Sequence, residues 1–198
     1  MLVGLVGLIG SGKDTVADRL VKKHKYKRDS FAKSLKDAVS SIFGWDRKLL
    51  EGKTKKSREW REQPDKFWSE KMGKEITPRW VLQYFGTEVM RGGMHDAIWV
   101  DSVIARYKGK PTVISDTRFQ NEIKTIRENN GVIVLVKRKP IPPQQWMEVH
   151  GFHRSEWDWI GSKFDYTIEN NGTLTQLNAK IDKLNRQLQD RQSSNQDV

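Results

Sequence analysis

The chain has 198 residues, of which 36% are hydrophobic, which is enough for one domain with its own core. It contains no cysteine, which excludes disulfides, thiolate metal sites and cysteine nucleophiles. Of its net charge of +11, most lies in residues 1–61, which carry 16 Lys and Arg against 7 Asp and Glu; this indicates an anionic partner, nucleotide phosphate or nucleic acid, or else a solvated basic surface. The apolar run at the N-terminus is too short for a signal peptide or a membrane span, and we expect a cytoplasmic protein.

The chain begins with two strand–helix units. Leu2–Leu8 is an apolar run bounded by glycine and predicts a buried parallel strand, followed by a helix that extends to about residue 24. Residues 26–31 predict a second strand, and the apolar spacing of residues 35–43 predicts a second helix that Gly44 ends.

The middle of the chain is less regular. Residues 46–77 are polar, basic and rich in Trp, and we expect a mobile excursion with short helices. Pro78 then suits the first turn of a helix with one apolar face, and a further helix is expected at residues 95–107.

The second half returns to alternating strands and helices. Strands are predicted at 112–115, 131–136 and 166–168. Helices are predicted at 119–126 and, with a stripe of leucines, at 174–188. Residues 137–159 form a Pro-rich excursion between these elements, and residues 190–198 are expected to be a disordered tail. The alternation predicts an α/β fold, a parallel sheet of about five strands covered by helices on both faces. We expect the leucine stripe to pack on this sheet, with a coiled coil as the alternative.

The strongest local signal is a glycine-rich loop between the first strand and the first helix. Gly7 to Lys13 match G-x-x-x-x-G-K, a loop whose backbone N–H groups surround phosphate and whose Lys reaches the β- and γ-phosphates. The motif expects Ser or Thr next, but Asp14 follows and Thr15 comes one place later. A nucleoside triphosphate site is predicted here. Its residues would be Gly10, Ser11, Gly12, Lys13, Asp14 and Thr15.

A second carboxylate follows a predicted strand. Asp116 comes directly after the strand at 112–115, where it can hold Mg²⁺ or orient an acceptor, although a helix N-cap is the alternative. Motor ATPases usually carry Glu at the next position to activate water, but this chain has Thr117 there. The Thr therefore favours phosphoryl transfer over hydrolysis. Arg118 can neutralise phosphate charge during that transfer.

Six fragments of the chain, spread over almost its whole length, belong together. They are Gly10–Thr15, Phe31–Lys36, Leu82–Glu88 with Arg91 and Trp99, Ser115–Glu122, His153–Glu156 and Ile168–Leu174. In their order and spacing these fragments resemble the phage-type deoxynucleoside monophosphate kinases, relatives of adenylate kinase. Ser34 departs from the family pattern, which has Pro at that position.

The resemblance implies a P-loop kinase domain over residues 1–189 that uses ATP and Mg²⁺ to phosphorylate a deoxynucleoside monophosphate (dNMP), with dTMP or dGMP expected. Its core would be residues 1–45, 111–137 and 164–189, with a monophosphate-binding excursion at about 46–108 and a lid at about 138–160. A phage origin would place the protein in the host cytoplasm. A homodimer is one possible oligomeric state.

The resemblance also implies roles for individual residues. Thr15 and Asp116 would hold the metal. The catalytic set would be Lys13, Asp116, Arg118 and Arg154, and the acceptor set Phe31, Lys33, Lys36, Arg79, Gln83, Gly86, Thr87, Arg91, Trp99, Asp116, Arg118 and Glu122.

The helix at 79–91 supports the acceptor site independently. Arg79, Gln83, Thr87 and Arg91 recur at i+4 opposite the apolar face, so one helix could present an amide to a base and two guanidinium groups to phosphate. A solvated polar face is the alternative. Trp99 could stack on a base or, as is commoner for Trp, belong to the core.

Two other functions remain open at this point. One is a P-loop kinase of another small metabolite on the same core. The other is a nucleic-acid-binding P-loop ATPase, which the basic N-terminal part would favour and the missing Glu after Asp116 disfavours. We expect the Pro-rich excursion, with Arg138 and Arg154, to close over ATP.

Overall fold

The computed structural model describes residues 1–152 and 154–194. The chain forms two compact units, Met1–Ser30 with Arg106–Val198, and Phe31–Ala105. The second unit begins at Phe31, whereas the sequence indicated an excursion from about residue 46. No helix in the described part of the chain is long and apolar enough to cross a membrane.

Five strands and ten α-helices occur in the described residues. The strands are β1 (Leu2–Val6), β2 (Lys27–Asp29), β3 (Thr112–Ile114), β4 (Val132–Lys137) and β5 (Tyr166–Glu169). The helices are α1 (Lys13–His24), α2 (Ala32–Phe43), α3 (Arg47–Leu50), α4 (Lys55–Glu62), α5 (Lys66–Met72), α6 (Pro78–Tyr84), α7 (Ile98–Arg106), α8 (Gln120–Glu128), α9 (Gln144–Val149) and α10 (Leu174–Ser194), with a π-helix at Phe85–Gly92 and a 3₁₀ turn at Arg154–Glu156.

The first unit is built on a parallel sheet, as the sequence predicts. Its strand order is β2-β3-β1-β4-β5, and every neighbouring pair is parallel. All five residues of β1 are buried, which is why that strand is apolar without alternation. Since the strands are parallel, the loops after β1, β2, β3, β4 and β5 leave the same edge of the sheet, where ligands of open α/β sheets bind.

Helix α10 covers the sheet through its leucine stripe. Leu177, Ile181, Leu184 and Leu188 are buried against β-strand residues and α1. The expected packing on the sheet is therefore confirmed for this helix. The expected disordered tail is wrong at residues 190–194, which continue α10, and the rest of that tail lies outside the described residues.

The second unit has a hydrophobic core of its own, which the sequence analysis did not predict. Val39, Trp45, Leu50, Ile76 and Val81 are buried there. Stacked and edge-on aromatic pairs surround them, including Phe43 against Trp45 with ring centroids 4.6 Å apart. The expected short helices are present, but they pack around this core.

Side-chain caps explain where the short helices of this unit begin. Asp46, Thr54, Asp65 and Thr77 accept backbone N–H groups at the starts of α3, α4, α5 and α6. Pro78 follows Thr77 in the first turn of α6, as predicted.

The polar face expected along residues 79–91 is not a continuous α-helical face. Residues 85–92 form a π-helix, whose hydrogen bonds run from i to i+5. Arg79, Gln83 and Thr87 are exposed, and the Thr87 hydroxyl donates to the carbonyl oxygen of Gln83 at 2.7 Å. That these residues and Arg91 share one acceptor-binding face stays a prediction.

Candidate active site

The loop between β1 and α1 has the backbone that phosphate binding requires. Gly7, Gly10 and Gly12 have φ angles of +145°, +75° and +104°, a range that side chains disfavour. A Cβ on Gly7 would lie 2.2 Å from the carbonyl oxygen of Val136, and one on Gly12 would lie 2.4 Å from Nδ2 of Asn170. At these two positions the neighbours as well as the conformation exclude any other residue.

Lys13, the first residue of α1, folds back over this loop. Its Nζ donates hydrogen bonds to the carbonyl oxygens of Gly7 at 2.6 Å and Leu8 at 3.0 Å. Burial lowers the pKa of Lys13, the positive charge of Arg118 acts in the same direction, and nearby carboxylates oppose both. A polyphosphate would relieve this destabilisation of the ammonium group.

Asn170, directly after β5, fixes the other side of the loop. Its Nδ2 donates a 2.8 Å hydrogen bond to the carbonyl oxygen of Ser11, and both residues are buried. The buried Oγ of Ser11 has no hydrogen-bond partner within the described residues. A buried hydroxyl without a partner is uncommon and suits a ligand oxygen.

A cavity of about 350 Å³ opens beside the loop. Gly10, Gly12, Lys13, Asp14 and Thr15 line it from the loop side, and Arg138, Asn170, Gly172, Leu174 and Leu177 complete its lining. The combination of backbone donors, two cations and two leucines provides both a polyanion site and an apolar surface for a base. Among the residues predicted for the lid, Arg138 belongs to this lining.

The loop after β3 places Asp116 and Arg118 at the same edge of the sheet. Phe119, not Asp116, is the N-cap of α8, so the alternative role of Asp116 as that cap is wrong. The hydroxyl of Thr117 is buried without a hydrogen-bond partner within the described residues. The charge of Asp116 raises the pKa of Lys13 and the charge of Arg118 lowers it, so both side chains lie close enough to the P-loop to act on Lys13.

Glu122 shapes this loop from within. Its side chain is only 2% exposed, and its carboxylate accepts hydrogen bonds from the backbone N–H groups of Arg118 at 2.7 Å and Phe119 at 3.1 Å. Glu122 was expected from the family resemblance to contact the acceptor, and its carboxylate fixes the backbone of Arg118 and Phe119.

Arg118 and Arg154 both have carboxylate partners in the Pro-rich excursion. Arg118 pairs with Glu156 at 2.5 Å, and Arg154 pairs with Asp158 at 2.7 Å. Asp158 also accepts the backbone N–H of Gln120, which ties this segment to α8. His153, which belongs to the fragment quoted from this excursion, lies outside the described residues.

Arg28, at the middle of β2, was missed by the sequence analysis. Its guanidinium pairs with Asp14 and with Asp18 on α1 and donates to Oγ of Ser115 at 3.0 Å. It therefore joins the helix that begins at the P-loop to the residue before Asp116. The only sequence signal was an unusually charged strand, which becomes informative once the strand order places β2 beside β3.

In the second unit, the predicted acceptor residues on α2 are already engaged. Phe31 is buried. Lys33 lies 3.4 Å from Asp37, and Lys36 lies 3.0 Å from Glu51. Glu51 has a pKa lowered to about 2, because Lys36 and Arg47 outweigh the effect of burial, which by itself would raise it.

The predicted acceptor residues further along this unit differ in exposure. Gln83 and Thr87 are exposed, and Arg79 pairs with Glu62 at 3.2 Å. Trp99 is buried, and its indole Nε1 donates to the carbonyl oxygen of Gly86 at 2.9 Å. Trp99 therefore occupies a core position, which was the alternative to base stacking in the sequence analysis.

The site lies on a parallel α/β sheet. A glycine-rich loop with Lys13 follows the central strand, and a carboxylate follows the neighbouring strand. This combination defines a P-loop protein of the kinase class. The chain belongs to the deoxynucleotide monophosphate kinase family, whose model matches residues 50–181. A putative deoxynucleotide monophosphate kinase of Acanthamoeba polyphaga mimivirus is 31% identical over 196 residues, covering 91% of this chain and 94% of that protein.

A second relative is the deoxynucleoside-5′-monophosphate kinase of Escherichia phage T5, 30% identical over 213 residues, covering 79% of this chain and 84% of that protein. Among solved structures, shikimate kinase from Aquifex aeolicus matches with a TM-score of 0.46 and 11% identity, covering 96% of this chain and 98% of that one. The family resemblance inferred from the sequence fragments is confirmed by the family model and the two relatives.

Proposed function

We propose that this phosphotransferase moves the γ-phosphoryl group of ATP to the 5′-phosphate of a deoxynucleoside monophosphate, giving ADP and the diphosphate. The observation that carries the proposal is Lys13, held against the glycine loop at the mouth of a cavity with both polar and apolar lining, in a chain of this family. The reaction supplies DNA precursors, which fits the cytoplasm of a host cell if the gene is viral.

The triphosphate would lie on the first unit. Backbone N–H groups of the loop and the ammonium of Lys13 would exchange their present partners for phosphate oxygens. The adenine would be covered by the side of the cavity formed by Arg138, Leu174 and Leu177. The Oγ of Ser11 would gain the partner that it lacks among the described residues.

Magnesium is expected with the triphosphate. No group of three His, Asp or Glu in residues 1–152 and 154–194 could hold a metal ion by itself. Mg²⁺ at nucleotide sites takes one or two protein oxygens and completes its shell with phosphate and water. Thr15 and Asp116 offer a hydroxyl and a carboxylate of this kind, and the ion would supply charge neutralisation at the β- and γ-phosphates.

The chemical step needs little beyond positioning and positive charge. An oxygen of the acceptor phosphate bonds to the γ-phosphorus while the bond from that phosphorus to the β–γ bridging oxygen breaks, and ADP leaves with the electron pair. Lys13 and Arg118 would stabilise the charge on the transferring group. Two contacts support this role for Arg118: its backbone N–H donates to Glu122, and its guanidinium pairs with Glu156.

The acceptor would be held by the second unit, with Arg79 and Gln83 as its principal polar contacts. An assay of ADP release with each dNMP and each ribonucleotide tests the function and its base preference. Turnover with dTMP or dGMP at micromolar to millimolar concentrations is expected. Absence of turnover with every nucleoside monophosphate would favour a kinase of another metabolite.

The assignment of the two substrates has its own test. Arg79→Ala should raise the KM for dNMP with little change for ATP, while Arg154→Ala should mainly change kcat or the KM for ATP. The reverse pattern would show that the substrates are assigned to the wrong units even if the kinase reaction stands.

A further inference from the structure

Two stretches of the first unit are rich in Lys and Arg and contain no carboxylate. Residues 19–28 hold six Lys or Arg, residues 106–115 hold three, and neither stretch contains Asp or Glu. The first stretch covers the last turns of α1 and the beginning of β2, and the second leads from the end of α7 into β3. Since they are far apart in sequence, their charges form one patch only where the fold brings them together.

The pairing of β2 with β3 brings the two stretches together. The strands are parallel, with Lys27 opposite Thr112, and the backbone N–H of Lys27 donates to the carbonyl oxygen of Pro111 at 2.8 Å. The hydroxyl of Thr112 donates in turn to the carbonyl oxygen of Lys110 at 2.9 Å. Because neighbouring strands are about 4.8 Å apart, the positive charges before β2 and before β3 lie side by side.

Four of these nine cations are neutralised by carboxylates from other parts of the unit. The pairs are Arg19 and Lys23 with Asp182, Arg28 with Asp14 and Asp18, and Arg106 with Asp29. The other five are exposed and form no ion pair with any residue that the structure describes; they are Lys22, Lys25, Lys27, Lys108 and Lys110. We call these five lysines the basic edge.

The basic edge lies at the opposite end of the sheet from the P-loop. Strands β2 and β3 begin there, whereas the P-loop and the loop with Asp116 follow the other ends of the parallel strands. Helix α1 begins at Lys13 and has 12 residues, so it extends for about 18 Å between the two ends, at about 1.5 Å per residue. An anion bound by the basic edge would therefore lie well away from the P-loop.

Lys25 has a backbone conformation that lysine disfavours. It is the C-cap of α1 and has a φ of +63°. Glycine is the usual residue in this left-handed position at a helix end, because a Cβ is strained there. The helix dipole explains cations in the last turn of α1 but not a lysine beyond that turn. A charge placed at a conformational cost is a sign of function, here an interaction with something outside the helix.

A nucleic-acid duplex is the partner whose chemistry fits the basic edge. Its backbone carries one negative charge per about 1.7 Å of axis, twice the density of a single strand. Single strands are usually held by aromatic side chains on which bases stack, and membrane surfaces by apolar side chains besides the cations. Among the described residues, the exposed large hydrophobic side chains all lie outside residues 19–28 and 106–115. Lysines alone suit phosphate contacts that read no sequence.

We propose that the basic edge binds the phosphate backbone of a nucleic-acid duplex without sequence preference. The five lysines are separate from the P-loop, so this binding is independent of the kinase reaction. Unlike the nucleic-acid-binding ATPase considered from the sequence, it involves no hydrolysis. The dissociation constant typical of such contacts is about 10⁻⁴ to 10⁻⁶ M at physiological salt.

Fluorescence anisotropy with a short, blunt, labelled DNA duplex tests this binding. The duplex has 5′-hydroxyl ends and the protein is saturated with AMP-PNP and Mg²⁺, so that neither the P-loop nor the acceptor site takes up DNA phosphate. The triple variant combines Lys25→Gly, which suits the φ of that position, with Lys27→Gln and Lys110→Gln. The matched control removes three exposed charges from the second unit and combines Lys53→Gln, Lys56→Gln and Lys66→Gln.

Wild type should bind the duplex with a micromolar or lower Kd at about 50 mM salt, and more weakly as the salt rises. Five phosphate contacts predict a slope of log K against log salt of about −4.5. The triple variant should lose about 2.7 of this slope, 0.9 for each contact, and its Kd should rise about tenfold or more. The control should bind as wild type does, and the triple variant should keep the wild-type turnover of ATP and dNMP.

Absence of duplex binding by wild type at about 50 mM salt would overturn the proposal. Equal losses in the triple variant and its control would do the same, because binding would then follow net charge alone. Sedimentation with vesicles of phosphatidylcholine and phosphatidylglycerol tests the other anionic surface. Vesicle binding that the triple variant loses, without duplex binding, would assign the basic edge to a membrane and overturn the nucleic-acid partner.

The single variants keep the test decisive if the triple variant does not fold. Lys25→Gly should melt at the wild-type temperature or above it, because glycine relieves the strain at φ +63°, and it should still bind the duplex more weakly than wild type. Lys110→Gln should weaken binding to a similar extent. An unchanged Kd and an unchanged salt slope in both single variants would overturn the proposal.

Discussion

Asn170 and Ser11, separated by 159 residues of sequence, are joined by a buried 2.8 Å hydrogen bond from the Asn170 side chain to the Ser11 carbonyl. The bond connects the end of β5 to the middle of the P-loop. It also explains Gly12, because a Cβ there would meet the same amide nitrogen. The loop conformation that we propose binds phosphate is thus held by Asn170, near the C-terminal end of the chain, as well as by the glycines of the loop.

Asn170→Ala should therefore loosen the loop. We expect the KM for ATP to rise about tenfold, since a buried hydrogen bond of about 1 to 1.5 kcal/mol is lost, with a smaller change in the KM for dNMP. Steady-state kinetics with each substrate varied in turn measure this. Asn171→Ala, at the exposed neighbouring position, is the control, and an equal effect of both substitutions would contradict the role of Asn170.

We expect Arg28 to favour ATP binding, because it neutralises two carboxylates beside the P-loop. With Arg28→Gln, Asp14 and Asp18 lose their partner beside a polyanion site, so the KM for ATP should rise severalfold and rise more at low salt. Asp14→Asn in the same protein should restore part of the affinity. A double-mutant cycle measures the coupling, and strict additivity of the two substitutions would argue against this role.

Much of this architecture follows from local sequence signals. The P-loop, the five strands and the Pro78 helix start have periodic or motif signals, and each lies where predicted. The π-helix at 85–92 has no such signal, because the sequence keeps the i+4 spacing of an ordinary helix there.

Other features depend on residues far apart in sequence. Arg28 became a candidate only when the strand order placed β2 beside β3. Asn170 lies in a fragment that the family resemblance already covered, but its hydrogen bond to the carbonyl oxygen of Ser11 was not predicted. The buried hydroxyls of Ser11 and Thr117 are distinguished by the hydrogen-bond partners that they lack within the described residues. Sequence patterns report which face of an element is apolar, but they do not report which polar groups remain unpaired after folding.

The second unit should lose stability in acid through Glu51. Its folded pKa of about 2 is below its ordinary value of 4.5, so its contribution to the free energy of unfolding is present above pH 4.5 and is lost as the pH falls toward 2. We expect about 1 to 2 kcal/mol, less than the full linkage value because the side chain, 31% exposed, is screened by solvent.

Urea unfolding of wild type and Glu51→Gln at pH 7 and pH 3 checks this. The wild type should be more stable than Glu51→Gln at pH 7, and the difference should shrink at pH 3. A difference of equal size at both pH values would show that packing, and not the ion pairs with Lys36 and Arg47, accounts for the contribution of Glu51.

The proposed reaction is tested by the transfer of label from [γ-³²P]ATP to each dNMP, with the products separated by chromatography. Wild type should place the label in the β-phosphate of a deoxynucleoside diphosphate. Lys13→Met should remain folded by circular dichroism and lose most of this transfer, because a transition-state charge contact of roughly 3 kcal/mol or more is removed. Label released only as inorganic phosphate, or full transfer by folded Lys13→Met, would contradict the account.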